Sequence, residues 1–187
     1  MSKDRKSQII KAAAKRFARH GLNKTTLEEI AGDLRIGKAT IYNYFNSKEE
    51  LFYECLEWDV NLIIVDMQYI FDEPEVPFKE KFIKYFEYKT TILENYKLLY
   101  DLILLLLRDN TFEKEAKIYS EMISKETEVL SNAMISAYKK RSKNKIVQFA
   151  KLSVKSSWGN VCSYELSKTN EDLFNVKETA KILIESF

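Results

Sequence analysis

The chain of 187 residues has only four glycines, two prolines, two cysteines and one histidine. Few glycines and prolines leave few turn residues, which favours long helices. Cys55 and Cys162 lie far apart and match no metal or redox spacing, so we expect reduced cysteines in a reducing interior. His20 stands without a nucleophile–base pair, a glycine-rich phosphate loop or a metal-ligand spacing. We therefore expect no enzyme activity, no metal and no cofactor.

Long hydrophobic runs are also missing. The longest, "LILLLL" at Leu102 to Leu107, is far too short to cross a bilayer. The N-terminal residues "MSKDRKSQII" lack the apolar stretch of a signal peptide. An apolar content of 45% is enough for a core, and the length suits one compact unit. The sequence thus predicts a soluble, cytoplasmic protein.

Charge is distributed unevenly, although the net charge is only +2. Residues 1–50 hold eleven Lys and Arg against six Asp and Glu, a net of +5, while the rest holds nineteen against twenty-two, a net of −3. A basic head on a mildly acidic body is compatible with a nucleic-acid partner, and equally with a chance fluctuation in solvated surface charge.

The pattern predicts an all-α fold, because strict alternation of apolar and polar residues is absent. A first helix carries an apolar stripe at four-residue spacing, formed by Ile9, Ala13 and Phe17. Gly21 can end it in a left-handed cap. Thr26 followed by Glu29 is a capping box, which starts a second helix at about 27–34.

Further helix boundaries follow from the same signals. Ser47 and Glu50 repeat the capping box, so a longer helix should run from Lys48 to about Ile70, with one short helix, Lys38 to Phe45, before it. The segment "DEPEVP" holds both prolines and breaks the chain after these four helices. Five more amphipathic helices are expected at 77–94, 96–108, 113–140, 144–167 and 171–186.

The short helix within "IGKATIYNYFNSKEEL", residues 36–51, has two distinct faces. At 100 degrees per residue, Ile41 and Phe45 share an inward face. The opposite face carries Ala39 and Asn43, flanked by Thr40 and Tyr42, with Lys38 and Tyr44 at its margins. These side chains are short or planar. Asn can read adenine in the DNA major groove, Ala or Thr can touch a thymine methyl, and Tyr and Lys suit phosphates.

Together with the preceding short helix and a turn containing Gly37, this segment has a helix-turn-helix pattern. The alternative is an ordinary surface helix of an α-bundle. Residues 6–51, through "AAAKRFARHG", "TTLEEIA" and "KATIYNYFNSKEELF", resemble the N-terminal domain of the TetR family (TetR/AcrR type) of transcriptional regulators. The matching positions are Phe17, Gly21, Thr26, Ile30, Ala31, Thr40, Tyr42, Tyr44, Phe45, Lys48, Leu51 and Phe52. The sequence departs from the family pattern at Leu22, Arg35, Gly37 and Asn43.

The resemblance implies a DNA-binding head at residues 1–47, with three helices, and a larger helical ligand-binding and dimerisation body at residues 48–187. It implies base contacts from the helix Lys38 to Asn43. It implies phosphate contacts from Thr26, Tyr42, Tyr44 and Lys48. The predicted DNA-binding set is Thr26, Gly37, Lys38, Ala39, Thr40, Tyr42, Asn43, Tyr44 and Lys48.

The last two helices are the expected homodimer seam, since the resemblance implies a four-helix bundle made of both from each subunit. The candidate interface residues are Phe149, Ser153, Trp158, Val161, Leu166 and Ile182. From the residues alone, the same side chains could instead close the core of one protomer.

The resemblance also implies a small-molecule pocket in the body, linked to the head by the helix that begins at Lys48. Candidate lining residues are Trp58, Leu62, Val65, Tyr100, Asp101, Leu104, Met122 and Trp158. Asp101 either faces solvent, pairs with Arg108 or Lys97, or contacts a ligand. Walls of this composition favour an apolar or acyl-type effector.

The sequence thus predicts a ligand-responsive repressor that binds a palindromic double-stranded DNA operator as a homodimer, away from membranes. The alternative is a helical ligand-binding or protein-interaction module that has lost specific DNA binding.

Overall fold

The structure is a computed structural model that describes residues 3–109, 111–166 and 176–187. These residues form ten helices and no strand, which confirms the all-α fold. No helix in this part of the chain is long and apolar enough to cross a membrane. The helices are α1 (Lys3–Lys24), α2 (Leu27–Asp33), α3 (Lys38–Tyr42), α4 (Lys48–Asp72), α5 (Phe78–Thr90), α6 (Ile92–Asn95), α7 (Lys97–Arg108), α8 (Glu113–Ala137), α9 (Lys143–Leu166) and α10 (Val176–Ser186).

The start of α2 has the predicted capping box. Thr26 Oγ1 accepts a hydrogen bond from the Glu29 amide at 3.3 Å, and the Glu29 carboxylate accepts one from the Thr26 amide at 2.9 Å. At α4 only half of the motif forms. Ser47 Oγ accepts from the Glu50 amide, but the Glu50 carboxylate accepts from the amide of Asn46 instead of Ser47. Both helix starts therefore satisfy amides that would otherwise lack partners.

Gly21 has the positive φ that the sequence predicts, at 77°, but its ψ of 167° is far from a left-handed helical cap. The chain kinks there and makes one further turn before α1 ends at Lys24. Thr25 closes this turn by donating a hydrogen bond from Oγ1 to the Gly21 carbonyl at 2.8 Å.

Two of the predicted helices are divided or shorter than expected, and part of a third lies outside the described residues. The segment 77–94 is divided into α5 and α6 at Thr91, whose amide bonds the Tyr88 carbonyl three residues back. Regular helix in α3 ends at Tyr42, since the amides of Tyr44 and Phe45 both turn back to the Ile41 carbonyl. In the predicted helix 171–186, residues 171–175 lie outside the described part of the chain.

Helix α4 joins head and body into one packed unit. Its first turns pack on α1, where the Cys55 thiol contacts the Ile10 carbonyl at 3.5 Å, and its later turns pack on α5, α7 and α8. A single hydrophobic core runs from α1 through α4 into the body. Any movement of α4 against the body therefore carries α1, and with it the head.

Gly32 is an exposed position of α2 where a Cβ atom would meet nothing within 4 Å. We expect Gly32→Ala to raise the free energy of unfolding by about 1 kcal/mol, because alanine loses less backbone entropy in a helix. Urea denaturation would measure this as a higher midpoint at unchanged slope. Gly21→Ala is the contrasting variant: it should destabilise the protein, since alanine disfavours a φ of 77°.

Candidate nucleic-acid interface

The turn between α2 and α3 sets the direction of α3. Its amides at Leu34, Arg35 and Ile36 bond the carbonyls of Ala31 and Gly32 at 3.0 to 3.2 Å. Arg35, one of the departures from the family pattern, has a φ of 52° in this turn. This backbone is disfavoured for residues other than glycine, so the surrounding hydrogen bonds hold it in place.

Side chains of α3 divide between core and solvent as predicted. Ile41 and Phe45 are buried, whereas Tyr42 is 48% exposed and Asn43 is also exposed. Lys38, Ala39 and Gly37 are exposed on the same side of the head, and Thr40 and Tyr44 are half-buried at its edge. The exposed side of α3 thus carries an amide, a phenol and an ammonium, and the buried Ile41 and Phe45 anchor the helix to the core.

The Lys38 ammonium is already paired within the head. It lies 2.6 Å from Glu28 Oε1 and 5.4 Å from the centre of the Tyr42 ring. The hydrogen bond to Lys38 lowers the pKa of Glu28, and the same bond raises the pKa of Lys38. Both groups are exposed, so a phosphate can replace Glu28 as the partner of Lys38 at little cost.

A second charged cluster holds α1 against α2. Arg16 donates to both carboxylate oxygens of Asp33, at 2.6 and 2.8 Å, and lies 3.4 Å from Glu29. The hydrogen bond from Arg16 lowers the pKa of Asp33. Bidentate geometry fixes orientation as well as distance, so this cluster sets the angle between the two helices. The sequence analysis did not predict this cluster, because Arg16 and Asp33 are 17 residues apart.

Two of the expected phosphate contacts serve the head itself. Lys48 donates to the carbonyls of Leu22 and Thr25, at 2.8 and 3.0 Å, and so fastens the start of α4 to the last turn of α1 and the residue that follows it. The Thr26 hydroxyl donates to Glu29 Oε2 at 3.0 Å. One of the three donors of Lys48 remains for a phosphate, while Thr26 would have to exchange its partner.

Residues expected to line an effector pocket are scattered. Tyr100 and Met122 are buried in the core, Leu104 is half-buried, and Leu62 and Val65 are exposed on α4. Asp101 is exposed and accepts hydrogen bonds from Lys97 at 2.7 and 2.8 Å, which is one of the alternatives left open by the sequence. The others line two separate cavities, Trp58 beside α1 and Trp158 between α7, α8 and α9.

Most of the expected dimer residues lie inside the protomer. Ser153, Trp158 and Val161 are buried because α9 turns this face onto α8 and α5. Phe149 stacks on Phe82 and packs against Phe187 at a tilt. These side chains close the core, the second of the two readings of the sequence. Ile182 is 60% exposed on α10, and the side chain of Leu166 lies outside the described residues.

The body contains a buried polar cluster that the sequence analysis did not identify. Lys89 of α5 and Glu126 of α8 are fully buried, with Nζ 2.5 Å from Oε2. The Trp158 indole donates to Glu126 Oε1 at 3.0 Å, and Tyr85 donates to Oε2 at 3.1 Å and contacts Ser157 Oγ at 2.9 Å. The Lys89 ammonium also lies over the Trp158 ring, 3.9 Å from its centre. Each charge is therefore partnered several times, as burial of an ion pair requires.

Burial lowers the pKa of Lys89 to about 8, against the opposing effect of the Glu126 carboxylate. Burial, together with Glu126, raises the pKa of Tyr85. A sequence signal for the pair exists: Lys89 continues the inward stripe of Phe82 and Phe86 at three- and four-residue spacing. A charge in such a stripe is either buried with a partner or marks the end of the buried face.

Next to this cluster lies an apolar cavity of about 430 Å³. Trp158 separates the two, since its ring lines the cavity while its indole nitrogen faces Glu126. Most of the remaining wall is aliphatic or aromatic, and Lys155 is the one charged residue among the described residues of the lining. The lining residues are Ile103, Leu106, Leu107, Ala116, Tyr119, Lys155, Trp158, Gly159 and Cys162.

Comparison with known proteins agrees with this geometry. Residues 9–55 match the family model described as bacterial regulatory proteins, tetR family. The HTH-type transcriptional regulator YhgD of Bacillus subtilis is 40% identical over 83 residues, which are 43% of this chain and 41% of that protein. The chain thus spans less than half the length of this curated relative.

Solved structures resemble the chain over its whole length. A transcriptional regulator from Cytophaga hutchinsonii is 27% identical, with a TM-score of 0.72 and 96% of each chain covered. The regulator FadR from Bacillus subtilis, solved with stearoyl-CoA, shares the fold at 19% identity, with a TM-score of 0.67 over 96% of this chain and 95% of that one. Residues 9–55 therefore carry the helix-turn-helix domain of the tetR family of bacterial regulatory proteins, and the chain is similar over its length to solved regulators with the same fold.

Proposed function

We propose that the protein is a ligand-responsive transcriptional repressor, which binds a palindromic DNA operator as a homodimer and leaves it when an effector binds the body. The observation that carries the proposal is the exposed face of α3, with Ala39, Tyr42 and Asn43 above the buried Ile41 and Phe45. A rigid helix that exposes a short amide side chain and an aromatic ring fits the major groove. On an ordinary surface helix, a half-exposed tyrosine would keep apolar ring area in contact with water without any stabilising contact in return.

The test is selection of bound fragments from a random DNA pool at about 0.15 M salt. We expect an enriched palindrome with half-sites about 34 Å apart, because two-fold related heads meet successive turns of the duplex. Folded protein that enriches no sequence would instead support the alternative, a helical ligand-binding or protein-interaction module.

Asn43→Ala should change the preferred base at one position of each half-site and cost about 1–3 kcal/mol against the original operator. The reason is loss of a paired hydrogen bond to one base edge. Tyr42→Phe, on the same face, is the matched variant, and should weaken binding to all sequences alike because a phosphate contact carries no sequence information. Uniform weakening by Asn43→Ala would remove that residue from base reading.

A different face of α9 suits the homodimer better than the buried residues expected from the sequence. Leu152 is 55% exposed, and Ser156 and Gly159 follow it at four- and three-residue spacing. Small residues on one side permit close helix approach, and Ile182 of α10 supplies further exposed apolar surface. We assign the subunit contact to this face.

Leu152→Glu should convert the dimer into monomers without unfolding them, since the side chain faces solvent in the protomer. Sedimentation equilibrium measures the mass and circular dichroism the helix content. Lys139→Glu changes charge at an exposed position after α8 and should leave the dimer intact. A dimer that survives Leu152→Glu unchanged would place the subunit contact elsewhere.

For the effector we propose the apolar cavity beside Trp158, and an apolar or acyl-type ligand. The support is its composition, because such walls leave a polar ligand without hydrogen-bond partners. An effector at one hundred times its Kd should stabilise the protein by about 2.7 kcal/mol. A thermal-shift screen in which only small, highly polar compounds stabilise the protein would contradict this choice.

A further inference from the structure

A second cavity, of about 640 Å³, lies where the head meets the body. One wall is the face of α1 that carries Ala14 and Ala18, and the opposite wall comes from the junction of α6 and α7. Trp58 and Asp59 of α4 lie between the walls. The cavity is separate from the one beside Trp158, and no residue lines both.

Asp59 is the unusual group in this cleft. Its side chain is only 8% exposed, yet its carboxylate has no hydrogen bond and no ion pair with any part of the chain that the structure describes. Burial alone raises its pKa to about 7. An unpartnered buried carboxylate costs free energy unless something supplies a donor. Because Asp59 lines the cleft, a bound molecule can supply one.

Cations without partners line the rim above it. Lys15 and Arg19 of α1 form no ion pair with the described residues, and Lys11 contacts only the Trp58 ring, 5.7 Å from its centre. Lys97 also lies at the rim, but it forms an ion pair with Asp101. Among the described lining residues Glu94 is the only other acid, so the described part of the rim has a net positive charge.

We propose that this cleft binds a small aromatic acid that carries a hydroxyl or amino group on its ring. The ring donor bonds the Asp59 carboxylate, the ring lies between the alanines of α1 and Trp58, and the acid group faces Lys15 and Arg19. The ring donor supplies the hydrogen bond that Asp59 lacks, the ring contacts the apolar walls, and the acid group pairs with the cations of the rim.

Such a ligand would contact α1 in the head and α4 and α7 in the body at once. It would favour the one arrangement of head and body in which the cleft has its present width. Binding itself does not depend on the proposed function, whereas its effect on operator affinity does.

Isothermal titration calorimetry with 3- and 4-hydroxybenzoate tests the proposal. We expect saturable binding of at least one isomer, at least about tenfold weaker binding of benzoate, which lacks the donor, and no detectable binding of tyramine, which lacks the acid. Absence of saturable binding by the folded protein, or preference for tyramine, would overturn the proposal.

Variants separate the two polar contacts. Asp59→Leu removes a costly unpaired carboxylate and should fold, but it should bind hydroxybenzoate no better than benzoate. Lys15→Gln should weaken both acids by the same factor, while Lys139→Gln, remote from the cleft, should change neither. Hydroxybenzoate affinity that is unaffected by Asp59→Leu would place the ligand elsewhere. A change of operator affinity on adding the ligand is a separate readout, and its absence would leave the binding site intact.

Discussion

Lys89→Ala or Glu126→Ala alone should lower the free energy of unfolding by about 3–5 kcal/mol. Either change leaves one charge buried without its partner, within a cluster where Trp158 and Tyr85 also lose a bond or a cation contact. Since the whole stability of such a protein is about 5–15 kcal/mol, the loss is large. Urea denaturation measures it for both variants.

The double variant Lys89→Met, Glu126→Leu should lose less stability than either single variant, although the buried Trp158 indole loses its acceptor at a cost of about 1–3 kcal/mol. Removing both charges removes the cost of burying them, and apolar side chains of similar size keep the packing. Lys79→Ala, which breaks an exposed pair with Glu185, is the control and should change little. Single variants that are no less stable than the control would mean that the pair is not buried as the structure describes.

Asp59→Asn should remove a pH dependence of stability. The pKa of Asp59 is raised from 3.8 to about 7 in the folded protein, so between about pH 4 and pH 7 the unfolded chain releases a proton that the folded chain retains. The contribution of Asp59 to stability therefore falls as the pH rises through this range and is constant above it. Over that range the variant should gain up to about 4 kcal/mol relative to the original.

Urea midpoints from pH 4 to pH 8 at one ionic strength measure this difference. The pKa values of Glu28, Glu29, Asp33 and Glu50 are lowered by their hydrogen bonds, so these groups lose protons at lower pH. Asp72→Asn, exposed on the same helix, is the control and should follow the original profile. If Asp59→Asn also kept the original slope, Asp59 would have a partner in solution.

Local signals in the sequence were sufficient for the head. The capping box at Thr26, the positive φ at Gly21 and the inward pair Ile41 and Phe45 were predicted, because each depends on neighbours within four residues. Errors there were also local. At the start of α4, Glu50 could reach the amide of Asn46 as easily as that of Ser47, and spacing cannot choose between them.

The body was predicted less well, because its features depend on which face of each helix meets another helix. Apolar side chains such as Trp158 and Val161 suit a core and a subunit contact equally well, and only the packing of α9 on α8 and α5 buried them. Leu62 and Val65 were expected inside for the same reason, and the rotation of α4 left them in water.

By itself the sequence determined the helical class, the helix boundaries to within a few residues and the side chains that α3 exposes, since all of these follow from short-range backbone and capping preferences. Only the tertiary structure decided where charges find partners. Lys89 and Glu126 are 37 residues apart, and Asp59 has no partner at all among the described residues. Whether a buried charge is paired depends on long-range packing, because the partner comes from whichever helix lies opposite, and no spacing along the chain encodes that choice.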